Sequence, residues 1–155
     1  MSYRIVGLEP EPFLDLFRLS DDELAARHIV RTTATVKPGY PCRITLDDAE
    51  PGETVLLLNY EHQTASTPYR SSHAIYVREN ARHKYDALDR IPPALRTRTL
   101  SVRAFDAGGM MIDADIIEGE ALESLIERFF ADRNAAYLHV HNAKRGCFAA
   151  RVERA

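Results

Sequence analysis

Two adjacent glycines, Gly108 and Gly109, separate two runs of residues with strong strand propensity, at positions 100–105 and 110–117. Glycine adopts positive φ angles without steric cost, and the tight turns that join antiparallel strands require such angles. The pair therefore predicts an antiparallel β-hairpin, and any fold assigned to this chain has to contain one.

Further strands are predicted on both sides of this hairpin. Runs at 3–8 and 72–79 favour strands, and an alternation of apolar and polar residues begins at Ile29. Polar, turn-forming residues at 47–53 separate runs at 43–46 and 54–61, and residues 142–146 separate runs at 136–141 and 147–152. We expect each of these two pairs to form an antiparallel hairpin.

Three short helices are expected between the strands. Pro12 stands where the first could begin, and apolar residues at 13, 16 and 17 share one face of it. Ser20 and Glu23 have the spacing of a capping box for a second helix that ends near residue 28. The third, at 120–131, has one apolar stripe that should pack against the sheet.

These elements predict an α+β fold, with a largely antiparallel, curved sheet of hairpins and two or three packed helices. No repeat, low-complexity tract or linker interrupts the 155 residues, so residues 1–155 are expected to form a single domain.

Composition argues against several classes of function. Lysine and arginine number 20 and aspartate and glutamate 23, so the net charge of −3 provides no broad cationic surface for nucleic acid. No apolar run reaches the roughly 18 residues of a membrane span, and the first residues lack the apolar region of a secretory signal. We expect a cytoplasmic protein that binds neither nucleic acid nor membrane.

Three polar segments, at 39–43, 59–63 and 68–73, lie at the ends of predicted strands, where binding residues are commonly found. Within them, six side chains are the candidates for ligand binding: Cys42, Arg43, His62, Tyr69, Arg70 and His73. We expect the two arginines to pair with a small, anionic metabolite and the histidines and tyrosine to orient it by hydrogen bonds. The cysteine would line the wall without reacting, because no known nucleophile signature surrounds it.

Two alternatives stay open beside this hypothesis. The first is a protein-interaction or structural module, including a homodimer formed through sheet edges, and it would be favoured if Arg43 and Arg70 were both held in internal ion pairs. The second is a small enzyme in which His62 or His73 titrates beside a substrate. No catalytic residue is assigned from the sequence. Motifs for dinucleotide binding, a P-loop, a hydrolase elbow and a zincin are absent, and no cofactor is expected.

A metal site is also not expected. His139 and His141 lie two residues apart on a predicted strand and so share a face, but the sequence identifies no third ligand for them. Because Leu138 and Val140 suit the core face of that strand, the histidines are expected to face water. The two cysteines, Cys42 and Cys147, belong to no CxxC pair and are expected to be reduced.

Four segments of the sequence carry a family resemblance: residues 38–43, 46–49, 57–62 and 68–70. On these residues the chain resembles, over nearly its whole length, the small bacterial proteins grouped as domain of unknown function 1203. The resemblance implies a bacterial origin and a family label. It implies no activity, cofactor or functional residue, because that family is defined by sequence alone.

Overall fold

A computed structural model describes all residues, 1–155, and contains nine strands and four α-helices. The strands are β1 (Tyr3–Val6), β2 (Val30–Thr33), β3 (Thr54–Gln63), β4 (Ser71–Arg78), β5 (Asp86–Leu88), β6 (Thr99–Phe105), β7 (Met111–Glu118), β8 (Tyr137–Asn142) and β9 (Phe148–Arg154). The helices are α1 (Glu11–Leu14), α2 (Asp21–Ala26), α3 (Pro93–Arg96) and α4 (Leu122–Phe130). The predicted α+β class is confirmed.

The strands form two antiparallel sheets. Six of them pair in the order β5-β1-β9-β8-β6-β7, and the other three in the order β2-β3-β4. The hairpins β6–β7 and β8–β9 are those expected from the glycine pair and from residues 142–146. No helix is long and apolar enough to cross a membrane.

The larger sheet uses one of its faces for the main core. Leu138 and Val140 on β8 are fully buried there, in one cluster with the apolar stripe of α4. Burial of each such side chain stabilises the fold by about 1.5–3 kcal/mol. Because side chains alternate along a strand, the residues between them, His139 and His141, point from the opposite face of the sheet.

The smaller sheet packs its apolar side chains against α1, α2 and the segment after β2, in a second core cluster that includes Phe13, Leu24 and Ile44. Ser20 caps α2 as predicted, since its side chain accepts a hydrogen bond from the backbone of Glu23. The register of β3 and β4 shifts between Glu61 and Gln63, which leaves one extra residue on β3. That residue of the β-bulge is His62.

One predicted hairpin is wrong. Residues 43–46 form no strand, and β3 pairs with β2 and β4 instead. The segment is a buried turn, closed by a hydrogen bond from the Leu46 amide to the Cys42 carbonyl, with Leu46 at a φ of 51°. Its apolar residues alternate because Cys42, Ile44 and Leu46 are buried from a loop, and not because they belong to a sheet.

Candidate metal centre

Four of the six histidines of the chain meet where the two sheets face each other. His62 on β3 and His73 on β4 come from the smaller sheet, and His139 and His141 on β8 come from the larger one. The ring centre of His62 lies 5.1 Å from that of His73, 5.9 Å from that of His139 and 4.9 Å from that of His141. We call these four residues the histidine cluster.

Three members of the cluster have the geometry of a metal site. One ring nitrogen from each of His62, His73 and His141 lies within 4.8 Å of the others, and Nε2 of His62 is 2.9 Å from Nδ1 of His73. A tetrahedral ion at about 2.0–2.1 Å from each nitrogen would hold its ligand atoms about 3.4 Å apart. The separation of 2.9 Å is somewhat below that value and no other exceeds 4.8 Å, so small movements of the rings would bring the three nitrogens to it.

His141 is in the tautomer that leaves its Nε2 free to bind a metal ion. Its Nδ1 lies 2.9 Å from the carbonyl oxygen of Gly146. Because a carbonyl oxygen only accepts, Nδ1 carries the proton and Nε2 presents a lone pair. A hydrogen bond to a backbone carbonyl is the usual way in which proteins orient a metal-binding imidazole.

His62 is held in place by packing. Its ring stacks on Phe148, with the ring centres 5.1 Å apart and the planes 1° from parallel. The hydroxyl of Ser71 lies 3.3 Å from its Nε2, whereas its Nδ1 is buried without a hydrogen-bond partner. Packing and the β-bulge together direct Nε2 toward His73.

Burial keeps these imidazoles in the neutral form that binds metals. Desolvation lowers the pKa of His141 to about 3, an effect that the charge of Arg103 increases and the hydrogen bond to Gly146 opposes. Desolvation, with the charges of His73 and Arg103, lowers the pKa of His62 to about 4. The pKa of His73 is lowered by desolvation and then by Arg103. All three rings are therefore neutral at pH 7 and need to lose no proton on binding an ion.

His139 lies at the back of the cluster. It is 2% exposed, and its Nδ1 is buried without a hydrogen-bond partner. Desolvation, followed by the charge of Arg151, lowers its pKa to about 3. Its ring packs at 5.0 Å from that of Phe105 and 5.2 Å from that of Phe148, so it forms an aromatic wall behind the other histidines.

An arginine that the sequence did not single out for ligand binding completes the site. Arg103 on β6 is half-buried, and its Nη1 lies 3.2 Å from Nε2 of His141. Its Nε contacts the hydroxyl of Ser101 at 3.4 Å, and no carboxylate forms an ion pair with it. The cluster therefore holds a positive charge without a counterion.

The structure brings together only two of the six residues predicted to bind a ligand, namely His62 and His73. Tyr69 is an exposed residue of the loop between β3 and β4, and Arg70 forms an ion pair with Glu61. Their role in ligand binding stays a prediction.

The other two predicted residues, Cys42 and Arg43, are core residues. Arg43 is 2% exposed and donates to the carbonyl oxygens of Pro41, at 2.5 Å, and Phe148, at 2.7 Å, and to the thiol of Cys147, at 3.0 Å. Cys42 is fully buried, and its sulfur accepts from a backbone amide. Burial holds both away from solvent, and of the two arginines only Arg70 is held in an ion pair.

The expectation that His139 and His141 face water is wrong. They are 2% and 0% exposed, because the smaller sheet covers the face of β8 opposite α4. The additional imidazole nitrogens that the sequence did not place beside them come from that sheet. The only signal in the sequence was the pair of histidines at a spacing of two, since nothing local to β8 indicates which residues of β3 and β4 lie above it.

A polar groove lies on the smaller sheet, toward the end of β3 and at the start of β4. It has a volume of about 300 Å³ and is lined by Asn59, Glu61, Arg70, Ser71 and Ser72. Ser71 belongs to the wall of the groove and also contacts His62. Because Glu61 pairs with Ser72 and Tyr60 pairs with His73, most of the groove lies on the face of the smaller sheet opposite to His73.

Comparison with known proteins identifies a family. The family model described as "Protein of unknown function (DUF1203)" matches residues 39–154, a range that contains the whole histidine cluster and Arg103. No curated protein and no solved structure gives a significant match. Since the match covers most of the 155 residues, the chain belongs to the DUF1203 family of proteins of unknown function.

Proposed function

We propose that this protein binds a divalent transition-metal ion through His62, His73 and His141. The observation that carries the proposal is the convergence of one ring nitrogen from each of these residues within 4.8 Å. Imidazole nitrogens suit zinc, copper, nickel and iron, whereas magnesium and calcium prefer oxygen ligands. The ligand set therefore selects the first group.

The number of protein ligands favours an exchangeable site. Structural zinc sites are closed by four protein ligands, whereas sites that bind substrate use three and keep a position open. His139 does not supply the fourth ligand, since its nitrogen is not among the three that converge. The small-molecule function expected from the sequence then takes a specific form, in which the molecule binds at the open position of the ion.

Metal binding is tested by calorimetric titration of protein that has been stripped with a chelator and dialysed. Zn²⁺, Ni²⁺ and Co²⁺ are titrated in turn, and we expect one ion per chain. At about 100 times its dissociation constant an ion would add roughly 2.7 kcal/mol of stability, which raises Tm by about 5–11 °C for a chain of this size.

Variants separate the proposed ligands from the other histidines. His62→Gln and His73→Gln remove ligands that are only partly buried, so both proteins should fold, and we expect each to bind the ion at least about 100-fold more weakly. His83→Gln, at an exposed position outside the cluster, should bind as the unaltered chain does. Undiminished stoichiometric binding in the first two variants, or no saturable binding to the unaltered chain, would overturn the proposal.

A further inference from the structure

We propose that the open position of this metal site takes a small molecule bearing a carboxylate or phosphate group, which bridges the ion and Arg103. The inference rests on the proposed function, because the bridging position exists only when an ion is bound. It adds the class of ligand and the residue that selects it. Arg103 acts here as a binding residue for the anion and not as a ligand of the metal.

The positive charges at the site favour an anion as the ligand. Imidazole binds a metal ion through an unprotonated nitrogen and carries no charge when it does so, so three imidazole ligands would leave both positive charges of a divalent ion undiminished. Arg103 adds a third, and it has no carboxylate partner. Like charges at this separation repel strongly inside a protein. An anion that lies between the ion and Arg103 is attracted to both, whereas a neutral ligand relieves neither charge.

A bound ion would also break the hydrogen bond between Arg103 and His141. Nη1 of Arg103 donates to Nε2 of His141 at 3.2 Å, since Nδ1 of that ring carries the proton. An ion at that nitrogen takes the lone pair, so the guanidinium loses its acceptor. Half-buried donors need another partner, and an oxyanion bound to the ion supplies oxygen atoms at the same place. The planar guanidinium suits the oxygens of carboxylate and phosphate in particular.

Arg103 is also placed where an anion bound to the ion can reach it. Arg103 lies directly across from His139 in the pairing of β6 with β8, and Ser101 lies across from His141, so the sheet fixes the arginine on the face that carries the cluster. His62 and His73 are only partly buried, whereas His139 and His141 are buried, so solvent reaches the cluster at the first two residues. An anion that binds the ion there would have Arg103 within reach, since Nη1 of Arg103 lies 3.2 Å from Nε2 of His141.

The test uses the Co²⁺-loaded full chain, whose visible absorption reports the ligands of the ion. Sodium acetate, inorganic phosphate and acetamide are titrated separately. We expect acetate or phosphate to change the spectrum saturably and neutral acetamide to leave it unchanged, and the tighter of the two anions identifies the preferred group. If neither anion changes the spectrum, or acetamide changes it equally, the inference is wrong.

Variants tie the effect to the arginine. Arg103→Met keeps the length of the side chain and should bind the anion about 10- to 100-fold more weakly, while its affinity for Co²⁺ is unchanged or higher because a positive charge is gone. Arg103→Lys should retain part of the anion affinity. Arg145→Met, at an exposed position between β8 and β9, is the matched control. Equal anion affinity in Arg103→Met and the unaltered chain would overturn the inference.

These outcomes separate the two proposals. Absence of Co²⁺ binding by the unaltered chain contradicts the metal site itself. Normal Co²⁺ binding without an anion effect leaves the metal site standing and contradicts only the role of Arg103.

Discussion

Acidification should destabilise the metal-free protein well above the pH at which carboxylates titrate. His139 and His141 are 2% and 0% exposed, and burial lowers the pKa of each to about 3. In the unfolded chain each has its ordinary pKa of 6.5. The unfolded state therefore binds more protons than the folded state between these values, and the free energy of unfolding falls as the pH falls through this window.

The size of the effect follows from the two pKa values. Between pH 7 and pH 5 an unfolded histidine becomes almost fully protonated, while the folded one stays neutral. Each of the two buried histidines should therefore cost the fold about 2 kcal/mol over this interval, or about 4 kcal/mol together. His62, with a pKa of about 4, acts in the same direction. A loss of this size is a large part of the stability of an ordinary domain.

The assay is urea unfolding followed by far-ultraviolet circular dichroism at pH 7, 6 and 5, with a chelator present throughout. His139→Leu should reduce the pH dependence by the share of one histidine, and His83→Gln should leave it unchanged. Glu53 has a lowered pKa, and its contribution is lost only below its ordinary value of 4.5, outside this interval. Stability that does not fall between pH 7 and pH 5 would refute the argument, as would an equal slope in His139→Leu.

Two further predictions concern the framework that supports the site, and both are measured by urea unfolding. Asp48→Asn should lower the free energy of unfolding by about 3–5 kcal/mol, because it removes the charge of a buried ion pair. Arg98 donates to both carboxylate oxygens, at 2.6 and 2.9 Å, and the side chain of Asp48 is only 5% exposed. A loss below about 1 kcal/mol would mean that the pair is solvated. Gly119→Ala should lower the free energy of unfolding by more than about 2 kcal/mol, because the added carbon would lie 1.9 Å from the carbonyl oxygen of Leu95. Gly108→Ala is the control and should cost less, since the nearest atom there is 3.4 Å away. Equal losses in the two variants would contradict the close approach at Gly119.

The elements that sequence predicts well here are those whose information is local. The hairpin at Gly108 and Gly109 depends on backbone angles that two glycines permit, and the cap at Ser20 depends on a residue three positions away. The predicted strand at residues 43–46 was wrong because the information that decides this segment is not local. Its apolar alternation is identical to that of a strand, and only contacts with distant residues show that it is a loop.

The sequence predicts some residues of the candidate site but not that they come together. The sequence indicated that His62 and His73 were functional candidates and that His139 and His141 share a face. It gave no indication that these two pairs meet, because they are separated by more than sixty residues and are joined only by the contact between two sheets. The one-residue β-bulge at His62, which directs that ring to the others, has no signature in the residues around it.

The space between the two sheets holds two buried imidazoles, two partly buried imidazoles and a half-buried guanidinium, all of which lose hydration on folding. Apolar side chains of similar volume would remove two nitrogens, on His62 and His139, that are buried without partners, and would remove the pH dependence described above. A bound ion changes that balance, since its binding energy to the folded state adds directly to stability. Residues that weaken a fold in the absence of a ligand are characteristic of functional sites. A bound ion at the three converging nitrogens would therefore offset a cost that an apolar interface would not incur.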